Sequence, residues 1–415
     1  MNATAITTAV REAVSAQSAK YLAGILRARR EGAALDPGDA VRLLRCDDDV
    51  LPDLLATARA LKEKHHPGVV TYSRKVFLPL TNLCRDYCGY CTFRRDPGEP
   101  GAHTMTPDEV LAVVRQGEKL GCTEALFSLG DRPEALFPAM RETLRRLGYR
   151  STLHYLEAMC ELVLRKTKLL PHANPGLLSP NWIERLRTSN PSLGLMLEST
   201  SPQLAMAHPA DRTPDKVPAL RFRTIEDAGK LGVPFTTGIL LGIGETMEDR
   251  VESLVAIRSL HEKYGHIQEV IVQNFRAKAR IPMAKWPQPE IGDMLRTLAV
   301  ARLILREMNI QAPPNLVPQF THDRRSPTPE GYERLLEAGI NDWGGISPLT
   351  PDYINPEAPW PHLLELQRRT EAAGQKLVQR LPVYPEFASA VVARGGLLGE
   401  RLAAAMDHEG YARAA

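Results

Sequence analysis

The feature that most constrains the fold is an alternation that begins near Val76: short β-rich segments separated by helical ones, repeated along most of the chain. The strand-like segments are 75–80, 124–129, 169–172, 193–197, 235–240, 269–274, 315–317 and 340–343. Helical patterns separate them at 151–168, 215–231, 247–264, 290–308 and 329–338. A further helix is expected from Pro107 to Gly121, because Thr106-Pro107-Asp108-Glu109 forms a capping box with proline at the first helical position. Eight such βα units close most naturally into a TIM-type (β/α) barrel, with an open partial barrel of six strands as the alternative. In either case the chemistry belongs on the loops that follow the C-terminal strand ends.

Residues 1–70 read as a helical N-terminal extension, ended by His65-His66-Pro67-Gly68. Residues 71–380 read as the α/β barrel, and 381–415 as a C-terminal tail. The 52 basic and 49 acidic side chains nearly cancel, so net charge gives no reason to expect nucleic acid or an anionic membrane as partner. No apolar run approaches the roughly 18 residues a membrane span needs. The N-terminus is interrupted by Arg11 and Glu12, which is unlike a secretory signal, and the expected location is cytoplasmic.

The six cysteines are unevenly spread. Cys84, Cys88 and Cys91 fall in C-x3-C-x2-C spacing directly after the first strand, while Cys46, Cys122 and Cys160 are scattered and read as structural. Three clustered thiols cannot all pair with one another, so metal ligation is the better reading. They can hold three corners of a cubane iron–sulfur cluster and leave its fourth iron open. The alternatives are unrelated thiols, a zinc site or an electron-transfer ferredoxin. Zinc and ferredoxin sites normally take four ligands, and no second cysteine pair follows.

This cysteine loop, with Tyr90 just before its last cysteine, resembles the radical S-adenosylmethionine (radical SAM) superfamily. The resemblance implies a 4Fe-4S cluster held by the three cysteines, with its open iron chelating SAM. Reductive cleavage of SAM would then give methionine and a 5′-deoxyadenosyl radical that abstracts hydrogen from the substrate, with the cofactors carrying the difficult chemistry. Gly130 and Asp131, in Ser128-Leu129-Gly130-Asp131, partly match the superfamily's Gly-Gly-Glu segment for the SAM amino group; a plain βα turn is the other reading. Glu198, at the fourth strand end, is expected near the SAM ribose or ammonium, or paired with Arg221 or Arg223, either of which could also reach the SAM carboxylate. Gly238, Leu240, Gly242 and Glu245 match the superfamily's G-x-I-x-G-x-x-E segment beside adenine, and Gly242 is the expected contact. No Lys-Ser/Thr follows the glycines as it would in a phosphate loop.

Longer segments resemble one family within the superfamily, subunit 1 of the 7,8-didemethyl-8-hydroxy-5-deazariboflavin (FO) synthases. They include residues 72–91, 126–134, 169–176 and 341–348, together with Gln273-Asn274-Phe275 and Lys278. The resemblance implies a ring-forming lyase that releases ammonia from a tyrosine-derived adduct of 5-amino-6-(D-ribitylamino)uracil, in deazaflavin coenzyme biosynthesis. A companion subunit 2 would supply that adduct, and a ferredoxin or flavodoxin would be a suitable reductant. For such a substrate, Asn174, Gln273, Asn274 and Asp342 are the expected contacts and His172 the general acid/base; each could instead be a hydrogen-bonded loop or cap residue. A related radical SAM reaction on tyrosine and a non-catalytic metal protein remain the rival readings.

Overall fold

The computed structural model describes residues 3–317 and 329–413. The strands are β1 (Val69–Pro79), β2 (Glu124–Ser128), β3 (Leu170–Asn174), β4 (Leu193–Gly194), β5 (Phe235–Leu241), β6 (Ile267–Asn274), β7 (Ile310–Gln311), β8 (Asp342–Ile346) and β9 (Lys376–Gln379). Strands β1 to β8 pair in parallel and in chain order, and β1 meets both β8 and β2, which closes the barrel. The full-barrel reading therefore holds. Strand β5 is buried at every position, as a parallel strand covered by helices on one face and filled on the other must be.

The helices sit where the alternation predicts them. Thr106 caps Pro107–Lys119 and Glu109 reciprocates; Thr246 and Asp249 do the same for Met247–Tyr264. The seventh strand is an exception. The expected segment 315–317 is a single 3-10 turn over Pro314–Leu316, and the strand is Ile310–Gln311 instead. Pro313 and Pro314 carry no N–H and cannot continue a ladder. Strand β9 was not foreseen. It is only four residues long, and pairs with the first half of β1.

The N-terminal helices lie on the outside of the barrel. Leu51–His65 packs along Ile291–Leu305, and Leu54, Ala58 and Leu61 belong to the same apolar core as the strands. After β9 the chain crosses the N-terminal strand ends: Pro382 accepts from Ser192 and Gln268, and Arg380 bonds Asp342 and Glu269. Helices Pro385–Val392 and Gly396–Ala405 follow, with a small core of Leu164, Leu381, Val383 and Leu402 beneath them. Among the described residues, no helix is long and apolar enough to cross a membrane.

Candidate active site

The cysteine loop is pinned from several sides. Gly130 donates to the Thr81 carbonyl at 2.8 Å, and Arg85 to that of Asp131 at 3.2 Å. A Cβ on Gly130 would run into the Leu83 carbonyl, so only glycine permits this approach. On the other flank, Gly89 donates to Ala207 O at 2.9 Å and accepts from Met283 N at 3.0 Å. Cys84 Sγ accepts backbone N–H groups from Asp86 (3.4 Å) and Asp131 (3.2 Å). Burial pushes the Cys84 thiol up to about 12 and the Cys88 thiol well above its ordinary value. Thiolates in such a place need a cation to form. Three thiols on one clamped loop, with N–H donors already aimed at one sulfur, fit the cluster chemistry. Cys88 and Cys91 border a cavity of about 1270 Å³ whose wall also includes Phe93, Met206, Arg212 and Tyr353.

Next to the loop, Glu198 is the centre of a buried polar group. Its φ of 69° is left-handed, an uncommon conformation for a residue with a side chain. Its carboxylate accepts from Tyr90 Oη (2.7 Å), His208 Nε2 (2.8 Å), Arg221 (3.4 Å) and Lys216. Burial alone would raise this carboxyl, but Lys216, Arg221 and His208 hold it well below the usual range. The two arginines expected here part company. Arg221 is buried and faces Glu198, whereas Arg223 is 76% exposed and lies 3.9 Å from Asp227. The expectation for Arg223 is therefore corrected: two positions along a helix is about 200°, which turns it to the opposite face.

Asp131 touches Cys84 through its backbone only. Its carboxylate bonds Arg132 and the N–H of Leu177, and meets Asp86 and Asp215 in a buried trio gripped by Arg85 and Arg132. Burial first, and then the charge of Asp215, push Asp131 up to about 6. Gly242, with φ of 82°, is part of a turn closed by its own glutamate: Glu245 accepts the N–H groups of Gly242 and Ile243, each at 2.8 Å. Those two donors are spent on the chain's own carboxylate.

The lumen shows two kinds of polar residue. Asn174 and Gln273, at or near the C-terminal ends of β3 and β6, are half-buried with no side-chain hydrogen bond among the described residues; Asn274 is buried at the last position of β6. Asp342 differs. It opens β8 at the opposite end and is saturated by Arg380, Thr71 and the N–H of Gly344, which replaces the expected substrate contact with a structural ion pair. His172 lies on β3 with Nδ1 2.8 Å from Ser192 Oγ. Burial pushes its ring down to about 4, so it is neutral near pH 7 and cannot serve there as the general acid.

The radical SAM superfamily profile matches residues 78–257. A 7,8-didemethyl-8-hydroxy-5-deazariboflavin synthase from Methanopyrus kandleri is 47% identical over 349 residues, which are 83% of this chain and all of that protein. The chain belongs to that synthase family. FO synthases from Mycobacterium tuberculosis (48% identical, 90% of this chain) and Streptomyces coelicolor (47%, 87%) match as well. Those proteins are longer, and this chain spans 44% and 42% of their lengths. Two solved structures share the fold at lower identity. Methylornithine synthase has a TM-score of 0.67 at 19% identity, covering 88% of this chain and 99% of that one. The FeFe-hydrogenase maturase HydG from Carboxydothermus hydrogenoformans has 0.67 at 18%, covering 96% and 93%.

Within this synthase-family chain, sequence reasoning missed Lys216, His208 and Asp215. Lys216 stands in Thr213-Pro214-Asp215-Lys216, a segment that reads as a helix start, and nothing in its spacing tells that it folds back to Tyr90 and Glu198. The usable signal was a weak one: two charged residues directly before a proline-capped helix, in a loop that follows a strand end.

Proposed function

We propose that this chain performs the ring-forming step of FO synthesis. It would convert 5-amino-5-(4-hydroxybenzyl)-6-(D-ribitylimino)-5,6-dihydrouracil to FO, with release of ammonia, as a lyase. The observation that carries this reading is the 47% identity along the whole length of the Methanopyrus kandleri synthase, a chain of matching scope. A bound 4Fe-4S cluster with SAM would supply a 5′-deoxyadenosyl radical.

The protein's own residues then have divided tasks. Cys84, Cys88 and Cys91 hold the cluster, and the N–H groups of Asp86 and Asp131 stabilise the Cys84 sulfur. Gly130 lets the cysteine loop close against the end of β2, and Gly242 lets its turn pack on Pro289 at the end of β5. Glu198 already accepts from Tyr90, Lys216, His208 and Arg221, and would take a SAM hydroxyl or ammonium group in place of one of these donors. Asn174, Gln273 and Asn274 are amides suited to pairing with a pyrimidine edge or ribityl hydroxyls.

The test is an anaerobic reaction of reconstituted protein with the pre-formed adduct, SAM and a low-potential reductant such as a reduced flavodoxin. The expected products are 5′-deoxyadenosine, methionine, ammonia and fluorescent FO. Consumption of free tyrosine and the diaminouracil instead would overturn the subunit assignment. Stoichiometric zinc without SAM cleavage would overturn the enzyme reading itself.

A further inference from the structure

His172 lies in the lower half of the lumen, 6% exposed, on the same face of the sheet as Leu126, its register partner in β2. The charged groups around it are Glu124, Lys75 and Arg380, which bond other partners: Lys75 Nζ lies 2.7 Å from Glu124, and Arg380 bonds Asp342 and Glu269. Its Nδ1 lies 2.8 Å from Ser192 Oγ, and the ring also hydrogen-bonds the Pro382 carbonyl. Ser192 has a single hydroxyl proton and donates it to the Pro382 carbonyl. Toward His172 the serine oxygen can therefore only accept, so Nδ1 carries the ring proton. The nearby Pro382 carbonyl also favours a proton on the imidazole.

With a neutral ring protonated at Nδ1, Nε2 is a bare lone pair. It has no hydrogen-bond partner among the described residues. Gly194 stands beside it on β4, and a Cβ there would come within 3.0 Å of Nε2, so glycine leaves this nitrogen uncovered. Nε2 is not sealed off by the surrounding protein, so a donor group of a ligand can reach it. We infer that His172 Nε2 is a fixed hydrogen-bond acceptor for an N–H or O–H donor of the substrate, with Ser192 and the Pro382 carbonyl as the positioning groups that set its tautomer. This rests on the proposed function for the identity of the ligand: a ureide N–H and ribityl hydroxyls are the two sources of such a donor. It makes the C-terminal segment, which crosses the N-terminal strand ends, part of substrate recognition.

Two measurements test it. Imidazole ¹⁵N NMR of the full chain should show His172 with Nδ1 protonated and Nε2 bare from pH 8 to about pH 5, and Ser192→Ala should mix the two tautomers. A proton on Nε2 in the wild-type protein would overturn the inference whatever the enzyme makes. The second measurement is FO binding, read by its fluorescence. His172→Phe should weaken it roughly tenfold to a hundredfold, the usual effect of leaving a buried donor unpaired. Ser192→Ala should weaken it less, and His172→Gln, whose amide oxygen can accept, should recover part of the loss.

FO methylated on the pyrimidine nitrogen and FO with a deoxyribityl chain identify the source. The analogue that lacks the recognised donor will bind wild type and His172→Phe equally. If both analogues keep the full His172 dependence, the acceptor role is wrong. Failure of wild-type protein to bind FO at all would count against the proposed function, while the tautomer experiment would still decide the geometry.

Discussion

At the N-terminal end of the barrel lumen, Lys75 bonds Glu124, and Arg380 bridges Asp342 and Glu269; these charges are buried and paired within the chain. At the C-terminal end the arrangement is inverted. Two cysteines border a cavity, the side chains of Asn174 and Gln273 have no hydrogen-bond partner among the described residues, and Glu198 stands in a left-handed backbone conformation beside the cysteine loop. One end satisfies itself and the other is left to be satisfied by ligands. Substitutions at the first should therefore be read in stability, and at the second in binding.

The largest expected effect is at the ligand end. Cys84→Ala removes one of three iron ligands, and reconstituted protein should lose its cluster iron and all SAM cleavage. Its folding stability should change little, because that sulfur accepts only two long N–H bonds. Iron content together with a thermal melt checks this; full iron loading in the variant would erase the contrast between the two ends. At the closed end, Arg380→Met leaves Asp342 and Glu269 buried without their cation. Removing one partner of a buried pair costs about 3–5 kcal/mol, to be read by chemical denaturation. A loss no larger than that of a surface substitution would show that this end is not held by its charges.

Acid sharpens the same point. Burial would raise Glu124, but Lys75, His172 and Arg380 bring it down to about 2 in the folded protein, below its unfolded value of about 4.5. A carboxyl with a depressed folded pKa stabilises the fold above pH 4.5, and that contribution is lost as pH falls toward 2. Lys75→Met should therefore bring acid unfolding in at higher pH, by roughly one pH unit, as followed by circular dichroism across a pH series.

This division also explains what could be read in advance. The barrel was legible because strand and helix periods differ and the capping box at Thr106 is a local signal. The cysteine loop was legible because its three thiols are close in sequence. Arg380, Glu269 and Asp342 come together only through closure, across separations of 111 and 38 residues, and no local pattern announces them. Asp342 looked like a ligand for the same reason that it is a structural acid: a buried carboxylate in a strand needs a partner, and the sequence does not say whether that partner is a substrate or an arginine. Strand β9 escaped because four residues, with Leu377 and Val378 flanked by Lys376 and Gln379, are too few to show an alternation.

The finest comparison is between two arginines on one helix. Arg221 donates to Glu198, to the Met196 carbonyl at 2.7 Å and to that of Asp215 at 3.2 Å, so it ties the ligand end to the loop before the helix. Arg221→Ala should cost about 1–3 kcal/mol through the acceptors it strands, and should weaken SAM binding as Glu198 loses one of its four donors. Arg223 has equal charge and lies two positions on, yet it is exposed beside Asp227 at the long limit of an ion pair. Exposed pairs of this kind contribute little, so Arg223→Ala should stay within about 0.5 kcal/mol of wild type. SAM binding, measured by equilibrium dialysis on reconstituted protein, should be unchanged. A loss of SAM affinity in Arg223→Ala matching that in Arg221→Ala would mean that the helix turns a different face to the ligand when SAM is bound, and the boundary between the two regions would have to be drawn one helical face further out.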